Sequence, residues 1–326
     1  MRAIVIARPG GPEVLEEQER PTPEPGPGQI RVRVRASGLN RADLLQRRGG
    51  YPAPAGAPAD VPGLEYAGEV DALGEGAGLW AVGSRVMGIV GGGAHAEFVC
   101  VHEREAMRVP HNLSWEEAAA IPEVFLTAYD ALFRQLDVQM GERVLIHAVG
   151  SGVGTAAVQL AHVTGATTLG TSRTASKLQR AQRLGLDIGI GVSGPGWAEQ
   201  VARETEGEGV HAIVDLVGGD YLGDDLRVLT VRGRCVVVGT MGGATTTIDL
   251  GMLLRKRAQL LGTVLRSRPV EEKIALAREF SDSALPLFSS GRIRPVVERV
   301  FPFSEAREAH ALMERNDTFG KVVLRW

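Results

Sequence analysis

The chain has 326 residues and a mass of 34.7 kDa, with 36 Lys+Arg against 39 Asp+Glu for a formal net charge of -3. That length carries two domains with full cores, and the charge balance excludes a general pull toward nucleic acid or anionic lipid. The 2 cysteines, Cys100 and Cys235, build neither a disulfide framework nor a thiolate metal cage, so a reducing, cytoplasmic setting is expected.

In chain order, residues 3–7 read as a strand that Arg8-Pro9 breaks, too short for a signal peptide core or a membrane span. The apolar stretch 118–132 is interrupted by Pro122, Glu123 and Asp130, which points to a soluble protein. Residues 29–36 alternate strictly, with Ile30, Val32, Val34 and Ala36 on one face and arginines on the other, the pattern of a half-buried strand. After it, Asn40 is placed to cap a short helix carrying Asp43, and the pair Gly49-Gly50 ends that helix and presents Tyr51. Short strands from residue 63 and over 84–90, punctuated by Gly and Pro, indicate a compact, mainly β domain.

The texture changes at the capping box Ser114-Trp115-Glu116-Glu117. Strands are predicted near 143–148, 167–171, 212–216, 234–239 and 260–264, and helices near 153–164, 175–184, 196–205 and 249–255. Alternating apolar strands and helices define an α/β, doubly wound parallel sheet. The chain closes with helices over 270–281, 286–290 and 304–315 and strands over 296–300 and 322–326.

The chemistry centres on the first of those strand-to-helix turns, Val149-Gly150-Ser151-Gly152-Val153-Gly154. Glycines there either let helix and strand pack closely or let a pyrophosphate approach the backbone at the positive end of the helix. About 20 positions on, an NAD-binding turn usually carries an acidic residue. This chain instead has Thr171-Ser172-Arg173 and then Lys177, hydroxyl and cationic groups that suit a 2′-phosphate, so NADPH is preferred over NADH.

The turn resembles the A-x-G-G-V-G turn of the zeta-crystallin-like NADPH:quinone oxidoreductases of the medium-chain dehydrogenase/reductase superfamily. The similarity spans the whole chain and is closest to the tumour-suppressor-inducible quinone oxidoreductase subgroup. Its carriers are Gly38-Leu39-Asn40-Arg41-Ala42-Asp43-Leu44, Gln46, Tyr51, the segments 118–123 and 126–128, Gly239-x-Met241-Gly242-Gly243, Leu265-Arg266-Ser267-Arg268 and Gly320-Lys321. The resemblance implies a discontinuous GroES-like catalytic domain, 1–122 with 266–326, around a Rossmann domain at 123–265. It also implies a cofactor site of Asn40, Thr127, Gly150, Ser151, Gly152, Val153, Gly154, Ser172, Arg173, Lys177, Val217, Gly239, Met241, Gly242, Leu265, Arg266, Ser267 and Lys321, the last near the phosphates. Asn40, Asp43, Tyr51 and Ser151 would face the acceptor, and relatives commonly form homodimers by extending the cofactor-domain sheet, here through Cys235 to Val238 and Leu260-Leu261.

Related alcohol dehydrogenases hold zinc with a Cys near residue 40 and a His in a Gly-His-Glu turn. Here those positions read Asn40 and Leu64, so no zinc site is expected. Without a metal, charge on a single alcohol oxygen is poorly stabilised, whereas quinones and enones spread it through conjugation. The expected activity is hydride transfer to such a small-molecule acceptor, with Tyr51 and Asn40 as hydrogen-bond donors. The alternatives are an enoyl-thioester reductase with the same residues, or a non-catalytic NADPH sensor or RNA-binding protein. No basic, aromatic-studded surface supports the RNA reading.

Overall fold

The computed structural model describes residues 1–192 and 196–326. These form two compact units, Met1–Leu126 with Leu265–Trp326, and Thr127–Val264. The first crossing between units falls beyond residue 122 because the chain there is anchored in the first unit. The Glu123 N–H donates to Glu65 Oε2 at 2.8 Å, and the Phe125 ring meets Phe288 edge-on at 4.8 Å.

The first unit is built on the alternating strand Gln29–Gly38. Ile30, Val32, Val34 and Ala36 are buried, while Arg31 and Arg33 pair with Asp71 and Arg35 pairs with Glu69 on the other face. The sheet runs Val297–Pro302, Lys321–Arg325, Gln29–Gly38, Glu65–Leu73, Arg85–Ile89, Met107–Arg108, and Phe98–His102 also pairs with Gln29–Gly38. Its C-terminal strand aligns Val323 with Gly38 and Leu324 with Ser37, and the Leu39 N–H donates to the Val322 carbonyl at 2.9 Å. This pairing sets Lys321 beside residue 40. A further strand, Leu15–Glu19, pairs with Arg2–Ile6 and lies outside the expected elements, because only Leu15 of its five residues is apolar.

The second unit is a six-stranded, wholly parallel sheet in the order Ile188–Gly191, Thr167–Ser172, Arg143–Ile146, Val210–Asp215, Leu229–Val237, Gln259–Gly262. Numbered along the chain, that order is third, second, first, fourth, fifth, sixth, so it reverses beside Arg143–Ile146 and opens a crevice at the carboxyl ends of the strands there. Val144, Leu145 and Ile146 are fully buried, as a strand covered on both faces requires. Two elements were not legible locally. Ile188–Gly191 is half glycine, and the helix Tyr221–Val228 contains Gly223 and two aspartates, one of which, Asp225, is fully buried against His147. Leu229–Val237 is an interior strand and Gln259–Gly262 the edge, so of the expected dimer segments only the one with Leu260 and Leu261 has an open edge.

Candidate active site

The glycine turn lies at the reversal point of the parallel sheet. Ala148 takes a φ of 50°, and Ser151 then caps the helix Gly152–Val163, its hydroxyl oxygen accepting from the Gly154 N–H at 3.0 Å. A Cβ on Gly154 would strike the Ala148 carbonyl oxygen, so this glycine is needed for helix and strand to meet. The N–H groups of Gly152 and Val153 remain at the helix end without a hydrogen-bond partner among the described residues. Beneath the turn, buried His147 joins Thr171 Oγ1 at 2.9 Å to Asp225 Oδ1 at 2.7 Å, tying three elements together.

The cationic groups expected for a 2′-phosphate flank this turn. Arg173 is exposed, and the Lys177 stem lies over Gly150, where a Cβ would come within 2.7 Å of its Cδ. Ser172 is buried and its hydroxyl oxygen accepts from the Thr174 N–H at 3.2 Å, so it shapes the loop. Tyr221, stacked on Trp197 and in the field of Arg173, adds an aromatic wall that the sequence did not reveal. Val217 donates its N–H to Asp215 Oδ1 and accepts from the Gly242 N–H at 2.7 Å, which fixes the segment with Gly239 and exposed Met241. Thr127 is half-buried at the start of the same unit. The bare helix end, the glycines and the two cations fit a dinucleotide. Ser151, expected to face the acceptor, has its oxygen committed to the helix cap.

In the first unit the candidate residues form one buried polar cluster. The Asp43 carboxylate accepts from the Asn40 N–H at 2.7 Å and the Gly63 N–H at 2.9 Å. Asn40 Nδ2 donates to Glu65 Oε1 at 2.9 Å, and Asn40 Oδ1 accepts from Lys321 Nζ at 2.6 Å. Lys321 also bonds the Leu39 carbonyl at 2.5 Å and Glu65 Oε1 at 2.6 Å. Gly38 is required here, because a Cβ on it would run into the Glu65 carboxylate and the Ala119 carbonyl.

Four expectations change accordingly. Asn40 is 8% exposed and its amide is committed to Lys321 and Glu65, so it positions the site rather than donating to an acceptor. Asp43 is fully buried with its carboxylate on the N–H groups of Asn40 and Gly63, so it orients its neighbours rather than facing an acceptor. Lys321 is 3% exposed with its three donors spent inside the unit, which removes it from any phosphate. Arg266, 7% exposed, donates to the Gly91 carbonyl at 2.7 Å, the Tyr51 carbonyl at 3.3 Å and Gln46 Oε1 at 2.5 Å. Its guanidinium lies 4.9 Å from the Tyr51 ring centroid, so it clamps Tyr51 instead of reaching a cofactor. Leu265 is buried in the same unit and Ser267 is exposed.

The same donor set bears on zinc. Residue 40 is an amide, residue 64 a buried leucine, and an ammonium stands against the Glu65 carboxylate. An ammonium has no lone pair to give and repels a divalent cation, so these residues do not fit a catalytic zinc.

A unit with a doubly wound sheet and a glycine turn at its reversal point, in one chain with a β unit holding a polar cluster, defines a medium-chain dehydrogenase/reductase. The comparisons agree. The model of the alcohol dehydrogenase GroES-like domain matches residues 26–111, and that of the zinc-binding dehydrogenase matches 152–282. The quinone oxidoreductase of Pseudomonas aeruginosa is 34% identical over 99% of both chains. Among solved structures, an NAD-dependent alcohol dehydrogenase superposes with a TM-score of 0.87 at 34% identity over 100% of both chains. The CurK enoyl reductase gives 0.88 at 30% over 99% of this chain and 98% of that one. A mycobacterial protein solved with NADPH gives 0.88 at 29% over 100% of both. The chain belongs to the zeta-crystallin-like quinone oxidoreductase family of that superfamily, and is an oxidoreductase that uses a nicotinamide cofactor on a small molecule. Among the described residues no helix is long and apolar enough to cross a membrane.

Proposed function

We propose that the chain is a zinc-independent, NADPH-dependent reductase of quinones or related conjugated carbonyls. The observation that carries this reading is the ion pair of Lys321 and Glu65 against Asn40, which fills the site with internal hydrogen bonds and leaves no ligand set for a Lewis acid. An acceptor reduced here must spread charge through its own conjugation. When bound, the cofactor supplies the hydride. Gly152 and Val153 hold its pyrophosphate on their N–H groups, and Arg173 and Lys177 favour the phosphorylated form. Tyr51 donates a hydrogen bond to the acceptor oxygen. Burial raises its phenol above the ordinary value despite the opposing pull of Arg266, so the proton is present at neutral pH.

A panel of small ortho- and para-quinones, enones and crotonyl-CoA, each with NADPH and NADH, tests the reading. Quinone turnover preferring NADPH supports it, and turnover confined to crotonyl-CoA gives the enoyl-thioester reductase instead, a reading favoured by the CurK likeness. Tighter use of NADH would overturn the cofactor assignment. We also propose a homodimer joined at the edge strand Gln259–Gly262, because neighbouring Leu250, Leu254 and Val264 are 63%, 75% and 49% exposed; light scattering in solution tests it.

A further inference from the structure

We infer that the outer face of Tyr221 is the platform on which the adenine base of the cofactor stacks, an assignment that rests on the proposed use of a nicotinamide dinucleotide and extends it to the base. Three aromatic contacts place the ring. One face lies on Trp197, with centroids 5.4 Å apart and the planes 24° from parallel. The His147 ring stands nearly perpendicular to both, its centroid 4.9 Å from each. Being equidistant from the two stacked rings, His147 sits on the Trp197 side of Tyr221 and leaves the opposite face clear of both. Trp197 and His147 are buried while Tyr221 is half-buried, so the surface it keeps open is on that far side.

The open face stands where the sheet directs a ligand. The Tyr221 N–H donates to the Gly218 carbonyl at 3.4 Å, just past the carboxyl end of Val210–Asp215. His147 follows Arg143–Ile146 directly and bonds Thr171 Oγ1 at 2.9 Å, at the end of Thr167–Ser172. Tyr221 is thereby fixed at the carboxyl ends of the three strands around the reversal of sheet order, the crevice in which doubly wound sheets bind their ligands. Arg173, the next residue after Thr167–Ser172, lies within electrostatic range of it.

The N–H groups of Gly152 and Val153 and the cations Arg173 and Lys177 suit phosphates and offer no surface to a flat base. Tyr221 supplies one. Its ring is already backed by Trp197 and by His147, which Asp225 Oδ1 pins at 2.7 Å, so stacking a purine on it costs little side-chain entropy. The base is common to NADH and NADPH, so this contact adds affinity for both and leaves the choice between them to Arg173 and Lys177.

The test titrates wild type, Tyr221→Phe and Tyr221→Leu with NADPH, NADH and adenosine 2′,5′-bisphosphate by calorimetry, with folding checked by circular dichroism. Tyr221→Leu should weaken all three by about 10-fold, and Tyr221→Phe, which keeps the face, should bind them as wild type does. In the wild-type protein with labelled tyrosine rings, adenosine 2′,5′-bisphosphate should move the Tyr221 signal, identified by its absence in Tyr221→Phe, upfield through the ring current of the base. Wild-type affinities in Tyr221→Leu, or no shift of that signal, overturn the assignment. A loss in Tyr221→Phe equal to that in Tyr221→Leu and confined to the phosphorylated ligands overturns it too, because the hydroxyl would then hold the phosphate. A wild type that prefers NADH sinks the proposed NADPH preference and leaves the adenine platform standing, and failure to bind either coenzyme sinks both.

Discussion

Lys321 Nζ stands 2.6 Å from Asn40 Oδ1, joining residues 281 apart in sequence, and both also bond Glu65 Oε1. The last strand of the chain thus delivers its only lysine into the interior of a sheet whose other strands, Val297–Pro302 apart, come from the first third of the sequence. The arrangement is buried, so its members are hard to remove singly.

Replacing Lys321 with Met should leave the Glu65 carboxylate buried without its cation. The expected loss is about 3–5 kcal/mol of stability, read by chemical denaturation. A phosphate-binding lysine would behave otherwise, weakening NADPH while leaving stability nearly unchanged. That second outcome would contradict the geometry of the cluster.

Tyr51→Phe keeps the ring beneath the Arg266 guanidinium and removes only the hydroxyl. We expect kcat/KM for quinones to fall by about 100-fold, most of it in kcat, with melting temperature nearly unchanged. Steady-state kinetics over several quinones decide it, and wild-type rates would remove Tyr51 from the acceptor.

Arg173→Ala and Lys177→Ala address cofactor choice. Each should weaken NADPH by about 10-fold, roughly 1.4 kcal/mol, and leave NADH binding unaltered. Fluorescence titration with both cofactors provides the measurement. Equal losses for the two would mean that the cations act on the shared pyrophosphate.

Burial, the neighbouring His95 ring and the Arg47 guanidinium hold His310 well below its usual value of 6.5, and burial likewise lowers His95. A histidine kept neutral in the folded state contributes its full stability above the unfolded pKa. As pH falls below about 6.5 the unfolded chain takes up the proton first, so stability drops by up to about 1.4 kcal/mol per pH unit for each such histidine. Melting temperature should therefore decline from pH 7 to 5, and His310→Leu should flatten that slope. An unchanged slope would place the acid sensitivity elsewhere.

Much of the fold was legible in the sequence because its signals are local. The alternation of residues 29–36, the cap at Asn40, the box at Ser114 and the strand, glycine turn and helix around residue 150 each follow from a periodicity or a backbone requirement within about ten residues. The strand Ile188–Gly191 and the helix Tyr221–Val228 carry no such signal, since their residues are held by neighbours in the sheet and by His147.

The chemistry of the polar cluster divides in the same way. The sequence determined which residue types stand at 40, 51, 64, 173 and 177, and hence the lack of a Cys at 40 and a His at 64 and the grounds for proposing a phosphorylated cofactor. Only the tertiary structure decided that Asn40 is spent on Lys321 and Glu65 and that Arg266 grips Tyr51. Burial and charge pairing between residues hundreds of positions apart fix those roles, and no local pattern encodes them.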